Sequence, residues 1–466
     1  MTLPERGDPG GRPPGQHGAA GASRDGRPEA GREGGRGGGW GHAGGSWGVV
    51  PPGQTPHTGQ SALQSVSSYL AEVLAAIRPL PPRELGLEEA DGGVLAGDVT
   101  AAWPLPPFDN SAMDGYAVHA ADTAAATPGQ PVVLPVRGEV AAGDTGRPDL
   151  APGTCIRIMT GALLPAGTDA VVPVEWTDGA APGGQVAIRQ AAEPGHAIRR
   201  AGGDATPGDL LLTAGTRLGP VQLGLLAAAG HSAVTARARP RVTVMSTGNE
   251  LTEPGQPVTP GRIWESNSRM LAAAARQAGC LARRHPIVPD RKEAVLAAIE
   301  EALPGTDLLV TTGGVSMGGE HDVVKAALHD LGTVSFRKVA MQPGMPQGFG
   351  AVGPAGTPIF TLPGNPVSAY VSFQLFVRPA ASVLQNRDPE RLPRTRAVLA
   401  GPVRSPRDRR SFLRGILDAE NQSIAPVSGQ ASHQLASLAR ANALIIVPEA
   451  VTELPEGETV DVLVLP

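Results

Sequence analysis

Three strand–loop–helix units in the second half of the chain constrain its fold most strongly. Each unit runs from a buried-type strand through a polar or glycine-rich loop into a helical pattern; the strand and loop parts are "RVTVMSTGNEL", "DLLVTTGGVSMGGEHD" and "PIFTLPGNPVS". Strands that alternate with helices of this length favour right-handed crossovers and a parallel sheet with helices on both faces. We therefore predict a doubly wound α/β domain over residues 241–385.

The remaining segments have different compositions and hydrophobic patterns. Short β-rich runs broken by Gly and Pro predict a small β domain over residues 109–202 and a C-terminal β barrel or sandwich over residues 390–466. Residues 1–60 are rich in Gly, Arg, Pro and His, which cannot build a core, and they predict a disordered tail. The fold class is thus multidomain, α/β plus β.

Charge and composition exclude several function classes. A formal net charge of -5 gives no general attraction to nucleic acid or to an anionic membrane. The longest apolar stretch, around residues 223–229, is too short to cross a bilayer. Cys155 and Cys280 are the only cysteines, which argues against a disulfide framework or a zinc cluster. We expect a soluble cytoplasmic protein with no membrane or nucleic-acid partner.

The loops after the three strands are where chemistry is expected. Ligands of an open parallel sheet bind beyond the carboxyl ends of its strands. Glycines allow close approach of the backbone, and the following helices direct N–H groups at anions. The same loops carry Glu250, Glu320 and Asp322, which would repel an anion unless a cation lay between them. This combination predicts Mg²⁺ bridging a nucleotide phosphate.

Each of these residues also has a structural alternative. Glu250 could cap the element that follows its strand, and Asp322 and Asp290 could be ordinary N-cap or first-turn residues. Ser316 has no neighbouring His or Lys to activate it, so a serine nucleophile is not expected.

Six strings, in order along the chain, carry a resemblance to a known family. They are "FDNSAMDGYAV", "RIMTGALLPAGTDAVVPVE", "RVTVMSTGNEL", "TTGGVSMGGEHD", "QPGMPQGFG" and "LPGNPVSAYVSF". From about residue 61 to residue 466, the chain resembles the molybdopterin molybdenumtransferases, which complete molybdenum cofactor synthesis. It is also similar to the C-terminal domain of the eukaryotic scaffold gephyrin.

The resemblance implies an architecture and a shared site. Residues 61–108 and 203–240 would form an elongated segment that leads to the small β domain and back. The family is homodimeric, and the β domain of one subunit reaches the cleft of the other. Asp114 and Thr160 would then line a site shared between subunits. A molybdopterin adenylyltransferase is a candidate protein partner.

The resemblance also assigns residues to a Mg²⁺-dependent reaction of molybdate with adenylylated molybdopterin that releases AMP. The expected catalytic residues are Asp114, Thr160, Glu250 and Asp322. The expected metal ligands are Glu250, Asp322, Asp204 and Asp290. The expected substrate-binding residues are Gly313, Gly314 and Ser316 for phosphate, Pro363, Gly364, Asn365, Pro366 and Ser368 on the molybdate side, Arg414 and Ser432 on the pterin side, and Lys338.

Three positions depart from the family pattern. Gln342 and Met345 replace two lysines of the family string "KPGKP", which weakens a dianion site unless Lys338, Arg337 or loop amides compensate. Asn249 stands where Asp is usual and removes one negative charge. The alternatives to the transferase are a molybdopterin adenylyltransferase and a non-catalytic molybdopterin-binding scaffold or sensor.

Overall fold

A computed structural model describes residues 63–179, 182–315, 323–330 and 332–466. The predicted tail over residues 1–60 lies outside the described residues. Ser316, Glu320 and Asp322 also lie outside them, so their predicted roles have no structural description.

A six-stranded sheet forms the centre of the predicted doubly wound domain. In sheet order its strands are Leu281–Arg284, Arg241–Ser246, Leu308–Thr312, Thr357–Leu362, Pro346–Val352 and Val334–Lys338. The first four strands are parallel, as predicted. Pro346–Val352 instead runs antiparallel to both of its neighbours. The short connection over residues 353–356 explains this direction, because only antiparallel strands can be joined by a tight turn.

Helices cover both faces of this sheet and bury two apolar clusters. They are Asn267–Gln277, Lys292–Ala302, Val323–Asp330, Pro366–Ser372 and Arg378–Leu384, the last two joined by one π-helical turn, Phe373–Val377. Among the described residues, Pro366–Leu384 is the one helical run long and apolar enough to cross a membrane, and 83% of it is buried inside the protein. That burial is typical of a core helix.

Residues on either side of the small β domain pair with each other over a long sequence separation. The strands are Arg83–Gly86, Val94–Leu95, Val99–Thr100, Leu210–Leu212 and Ala233–Arg237, and the helices are Leu87–Ala90 and Pro220–Ala228. Leu85, Leu95, Leu226 and Val234 are in their common core. This pairing closes the excursion of the chain into the small β domain.

The helix Val66–Ala76, which begins the described chain, packs elsewhere. Its buried Val66, Tyr69 and Val73 belong to a core of the doubly wound domain. The Tyr69 ring lies edge-on to Phe376, with ring centroids 4.8 Å apart. From the sequence, this helix was assigned to the elongated segment, and its packing against the doubly wound domain was not predicted. The domain boundaries stay predictions.

The small β domain is a five-stranded sheet beside a two-stranded ribbon. The sheet order is Ala170–Pro173, Gly115–Val118, Cys155–Ile158, Val132–Val140 and Gln185–Ile188, and the ribbon pairs Asn110–Ser111 with Ile198–Arg199. A Cβ on Gly115 would lie 2.0 Å from the carbonyl oxygen of Val172. Glycine at this position therefore permits the pairing of the first two strands.

The C-terminal segment is a closed barrel. Its strands, in order around the barrel, are Arg410–Asp418, Ser423–Pro426, Arg394–Leu399, Thr459–Val464 and Ala443–Val447, which pairs back with the first. A ribbon of Val403–Arg404 with Glu453–Leu454 and the helix Leu435–Arg440 complete it. The short strand Met341–Gln342 pairs with Arg410 and Ser411 and thereby joins the barrel to the doubly wound domain.

Candidate active site

A cleft of about 700 Å³ lies at the carboxyl ends of the parallel strands. Loops after three of these strands form its walls, and His433 and Leu435 of the C-terminal segment complete it. The cleft brings together eight of the residues singled out from the sequence: Glu250, Asp290, Gly313, Gly314, Pro363, Gly364, Asn365 and Pro366. Seven others do not line it in this chain: Asp114, Thr160, Asp204, Lys338, Ser368, Arg414 and Ser432.

The glycine loops meet closely at the floor of the cleft. Gly313 has a φ of 99°, and a Cβ there would lie 2.5 Å from the carbonyl oxygen of Thr247. A Cβ on Gly364 would lie 3.5 Å from the Cα of Gly313. A side chain at Gly313 would push its loop away from Thr247, so that close approach depends on glycine, whereas a Cβ on Gly364 would make only an ordinary van der Waals contact.

Asn267, at the start of a helix, holds two of these loops together. Its Nδ2 donates to Thr312 Oγ1 at 3.0 Å and to the carbonyl oxygen of Gly364 at 2.6 Å. Thr312 Oγ1 in turn donates to the carbonyl oxygen of Pro363 at 2.8 Å. Because these contacts span many residues of sequence, no local pattern marks Asn267 as a residue of the site.

Two carboxylates of the cleft, those of Glu250 and Asp290, remain able to bind a ligand. The Glu250 side chain is exposed. Its Oε2 would lie 2.5 Å from a Cβ on Gly248, so glycine at position 248 leaves room for this carboxylate. Asp290 accepts a hydrogen bond from the backbone of Asn249, but its Oδ1 is buried and has no hydrogen-bond partner within the described residues. A buried carboxylate oxygen without a donor is suited to a cation ligand or a substrate hydrogen bond.

Glu265 differs from Glu250 and Asp290 because both of its carboxylate oxygen atoms already accept hydrogen bonds within the protein. It is 2% exposed and accepts from Ser246 Oγ at 2.7 Å and from the backbone N of Ser268 at 2.6 Å. Arg269 and Arg284 pair with it and also with Glu253, whose pKa they hold below its usual value. The sequence analysis missed Glu265; its role is to anchor the wall of the cleft.

Trp264 is a second lining residue that the sequence analysis missed. It lies in a two-residue strand, Ile263–Trp264, that pairs in parallel with Leu251–Thr252. Its side chain is 57% exposed, and the indole Nε1 donates to the carbonyl oxygen of Gln256 at 2.9 Å. No spacing in the sequence marks it, because its position depends on this local pairing.

Asp114 and Thr160 contact each other in the small β domain, outside the cleft of their own chain. Asp114 Oδ1 accepts from the backbone N and from the Oγ1 of Thr160, each at 2.7 Å. These two hydrogen bonds lower the pKa of the Asp114 carboxyl. Both residues are exposed. Asp109, earlier in the same string, is bonded to Ala201 N and Arg200 and so joins the two ends of the domain.

Three family models match consecutive parts of the chain. The MoeA N-terminal region (domain I and II) matches residues 64–230, the probable molybdopterin binding domain matches residues 243–382, and the MoeA C-terminal region (domain IV) matches residues 396–465. The protein named molybdopterin molybdenumtransferase 2 from Mycobacterium tuberculosis is 46% identical over 86% of this chain and 98% of its own. The chain belongs to the molybdopterin molybdenumtransferase family. It is therefore a transferase of molybdenum cofactor biosynthesis.

Other members of the family give the same result. The molybdopterin molybdenumtransferase of Bacillus subtilis is 37% identical over 82% of this chain and 89% of its own. The crystal structure of the molybdopterin biosynthesis MoeA protein from Pyrococcus horikoshii superposes with a TM-score of 0.66 at 34% identity, covering 86% of this chain and 99% of that one. The predicted fold class and family are confirmed.

Arg414 and Ser432 belong to the barrel side of this molybdopterin molybdenumtransferase fold. Arg414 is fully buried; its Nη2 donates to the carbonyl oxygens of Gly429 and Ala431, at 2.5 and 3.2 Å. Its Nε and Nη1 have no partner among the described residues, and burial lowers its pKa. The carbonyl oxygen of Ser432 accepts from Val367 N at 3.1 Å. Arg414 therefore supports a loop that contacts the "PGNP" turn of the cleft.

An arginine contacts Gln342 of the string "QPGMP". Arg409 Nη1 donates to Gln342 Oε1 at 3.2 Å. Arg337, one of the residues considered as compensation, instead pairs with Glu72 at 3.6 Å. The carbonyl oxygen of Lys338 accepts from Gln64 N at 2.9 Å, while Ser368 is buried and Asp204 is exposed. Arg409, which the sequence analysis did not include, is the cation beside Gln342.

Proposed function

We propose that this chain inserts molybdate into adenylylated molybdopterin and releases AMP. The relatives named molybdopterin molybdenumtransferases support this activity. The structural observation that carries it is a single cleft that combines glycine loops with the acidic side chains Glu250 and Asp290. Such a cleft suits a substrate that carries both phosphates and a bound cation.

Mg²⁺ fits the residues of the cleft. Glu250 and Asp290 both line it, and Asp290 Oδ1 is buried without a donor in the described part of the chain. No group of three or more candidate ligand side chains occurs among the described residues. Glu250 and Asp290 would therefore hold Mg²⁺ together with substrate oxygens and Asp322. When bound, Mg²⁺ supplies charge that stabilises the phosphate of the departing AMP.

The chain's own residues position the reacting groups. Gly313 and Gly314 allow the substrate phosphates to approach the backbone, and Ser316 is proposed to extend that surface. Pro363, Gly364, Asn365 and Pro366 form the opposite turn, which we assign to molybdate. Arg414, two of whose buried guanidinium nitrogens have no acceptor among the described residues, supplies positive charge behind that turn. Most of the rate would come from holding molybdate and the dithiolene in contact.

We assign the second part of the site to a partner subunit. Asp114, Thr160 and Asp204 do not line the cleft of their own chain, yet all three are exposed. Exposed apolar side chains occur in the same region, with Trp103 69% exposed, Phe108 42% and Met113 40%. Apolar surface of this kind is typical of an interface. A homodimer in which Asp114 reaches the partner's cleft accounts for both observations.

Release of AMP from adenylylated molybdopterin, measured with and without molybdate, tests the activity. We expect release that requires molybdate and Mg²⁺ and that is lost in Glu250→Gln. Adenylylation of molybdopterin from MgATP would instead identify an adenylyltransferase. Binding without release would identify a scaffold or sensor, the alternative that the loss of two lysines favours. We further propose a cytoplasmic location and a molybdopterin adenylyltransferase as the supplier of the substrate.

Mixing two inactive variants tests the shared site. Asp114→Ala and Glu250→Gln homodimers each lack one half of every site. A mixed dimer has one complete site, so random exchange should restore about a quarter of the wild-type rate. If both residues act within one chain, the mixture stays inactive.

A further inference from the structure

Trp264 is the only Trp, Tyr or Phe among the described residues that line the cleft. The whole chain is poor in aromatic residues, at 3%. The other large hydrophobic side chains at this wall are aliphatic, and Ile263 next to it is equally exposed, at 57%. A Trp more than half exposed on the wall of a polar cleft offers a large flat apolar surface that the described residues leave open.

The position of this indole is fixed from several sides. The backbone N of Ile263 donates to the carbonyl oxygen of Glu250 at 2.8 Å, and that of Glu265 donates to Thr252 at 2.8 Å. The indole Nε1 is bonded to Gln256. The next residue, Glu265, is buried and bonded to Ser246 and Ser268. The ring is therefore held before any ligand arrives, which lowers the entropy cost of binding against it.

We propose that Trp264 is the stacking platform for a planar two-ring heterocycle of the substrate. This inference rests on the proposed function, since adenylylated molybdopterin carries two such heterocycles, adenine and pterin. The glycine loops and the acidic side chains can bind phosphates and a cation, but they offer no face to an aromatic ring. An indole face supplies that contact, and base–aromatic stacking is strong enough to set affinity.

Two probes separate stacking from a structural role. AMP contains the heterocycle, and ribose 5-phosphate lacks it. Calorimetric titration of the full-length protein should show that Trp264→Leu weakens AMP binding about tenfold, within the range of base–aromatic stacking energies. Trp264→Phe should weaken it less than about threefold, because a ring face remains. Binding of ribose 5-phosphate should not change in either variant.

Trp176→Phe is the matched control. Trp176 does not line the cleft, and its ring stacks on His196 with centroids 4.6 Å apart, so a phenylalanine there should leave AMP binding unchanged. AMP should also quench tryptophan emission in wild type and in Trp176→Phe, but not in Trp264→Phe. Urea unfolding of Trp264→Leu identifies any loss of fold, and Trp264→Phe keeps the test valid if the leucine variant is unstable.

Molybdopterin in place of AMP identifies which heterocycle is stacked. A tenfold loss for AMP alone assigns adenine, and a loss for molybdopterin alone assigns pterin. Unchanged affinity for both, equal losses for AMP and ribose 5-phosphate, or no binding of AMP and molybdopterin to wild type would each overturn the proposal. A wild-type protein that binds AMP through Trp264 but never releases it from adenylylated molybdopterin would overturn the proposed function and leave the platform intact.

Discussion

Asn249 and Asp290 bind each other through a reciprocal pair of hydrogen bonds. Asn249 N donates to Asp290 Oδ2 at 3.2 Å, and Asp290 N donates to Asn249 Oδ1 at 3.1 Å. The pair joins the loop after the strand Arg241–Ser246 to the segment before the helix Lys292–Ala302. It also leaves Asp290 Oδ1 buried and without a donor among the described residues. Asn249 thus orients the Asp290 carboxylate.

The first prediction concerns this pair and the cation. Asn249→Asp keeps an acceptor for Asp290 N and adds a negative charge, so it should tighten Mg²⁺ binding by about 1 kcal/mol, or about fivefold. Asn249→Ala removes the acceptor and should weaken binding. Calorimetric titration with Mg²⁺, in the absence of substrate, measures both. Equal affinities in the three proteins would show that Asn249 does not control the carboxylate.

The second prediction separates catalysis from stability at Asp114. Asp114→Ala should abolish AMP release, because the shared site loses its carboxylate. It should lower the free energy of unfolding by no more than about 1 kcal/mol, since the two hydrogen bonds to Thr160 are exposed. Thr160→Val is the control that removes only one of these bonds. Extensive unfolding of Asp114→Ala in urea would assign Asp114 a structural role instead.

The third prediction uses the buried Arg414. If the positive charge of Arg414 supports molybdate binding from behind the turn, then molybdate should raise the unfolding temperature of wild type but not of Arg414→Met. A ligand at a hundredfold excess over its Kd stabilises a protein by about 2.7 kcal/mol, which is easily measured. Arg407→Met is the control, because Arg407 is an exposed arginine of the same segment, whereas Arg414 is fully buried. Equal stabilisation of all three proteins would contradict the assignment.

The fourth prediction concerns pH and Glu253. Arg269 and Arg284 lower the pKa of Glu253 in the folded protein. A lowered folded pKa stabilises the protein above the unfolded pKa, about 4.3, and this contribution disappears as the pH falls through the folded value. The difference in unfolding free energy between wild type and Glu253→Gln should therefore be present at pH 6 and shrink below about pH 4. A constant difference across this range would rule out the ion pairs as its cause.

The fifth prediction tests a glycine of the small β domain. Gly115→Ala places a Cβ 2.0 Å from the carbonyl oxygen of Val172 and should lower the unfolding free energy of this domain by about 2 kcal/mol or more. Gly138→Ala is the matched control within a strand of the same sheet, since nothing lies within 4 Å of a Cβ there. Similar losses in both variants would show that the contact with Val172 is not the cause.

The sequence indicated the doubly wound domain because its strands are apolar and its loops end in glycine. The same local pattern cannot give strand direction, so Pro346–Val352 was not foreseen as antiparallel. A local sequence pattern also cannot show contacts between residues that are far apart in the sequence. The bond of Asn267 to Gly364 and the attachment of Met341–Gln342 to the barrel join segments that are far apart in the chain.

The residues of the candidate site that lie in the loops after the main strands were predicted from the sequence, whereas those of the short ribbon were not. Glu250, Gly313 and Gly364 lie in the loops that follow three of the strands, so their common edge could be inferred from topology. Glu265 and Trp264 were missed because a short ribbon positions them, and such a ribbon has no periodic signal. Asp204 was expected beside Glu250 from family resemblance, but it does not line the cleft of its own chain.

The contribution of His433 and Leu435 to the cleft links the cleft to the folding of the barrel. Both residues lie between the strands Ser423–Pro426 and Ala443–Val447, and the barrel is closed by Thr459–Val464, which pairs with Arg394–Leu399 and Ala443–Val447. Local unfolding of the barrel would therefore open one wall of the cleft. A ligand that contacts this wall should in turn protect the barrel strands from hydrogen exchange.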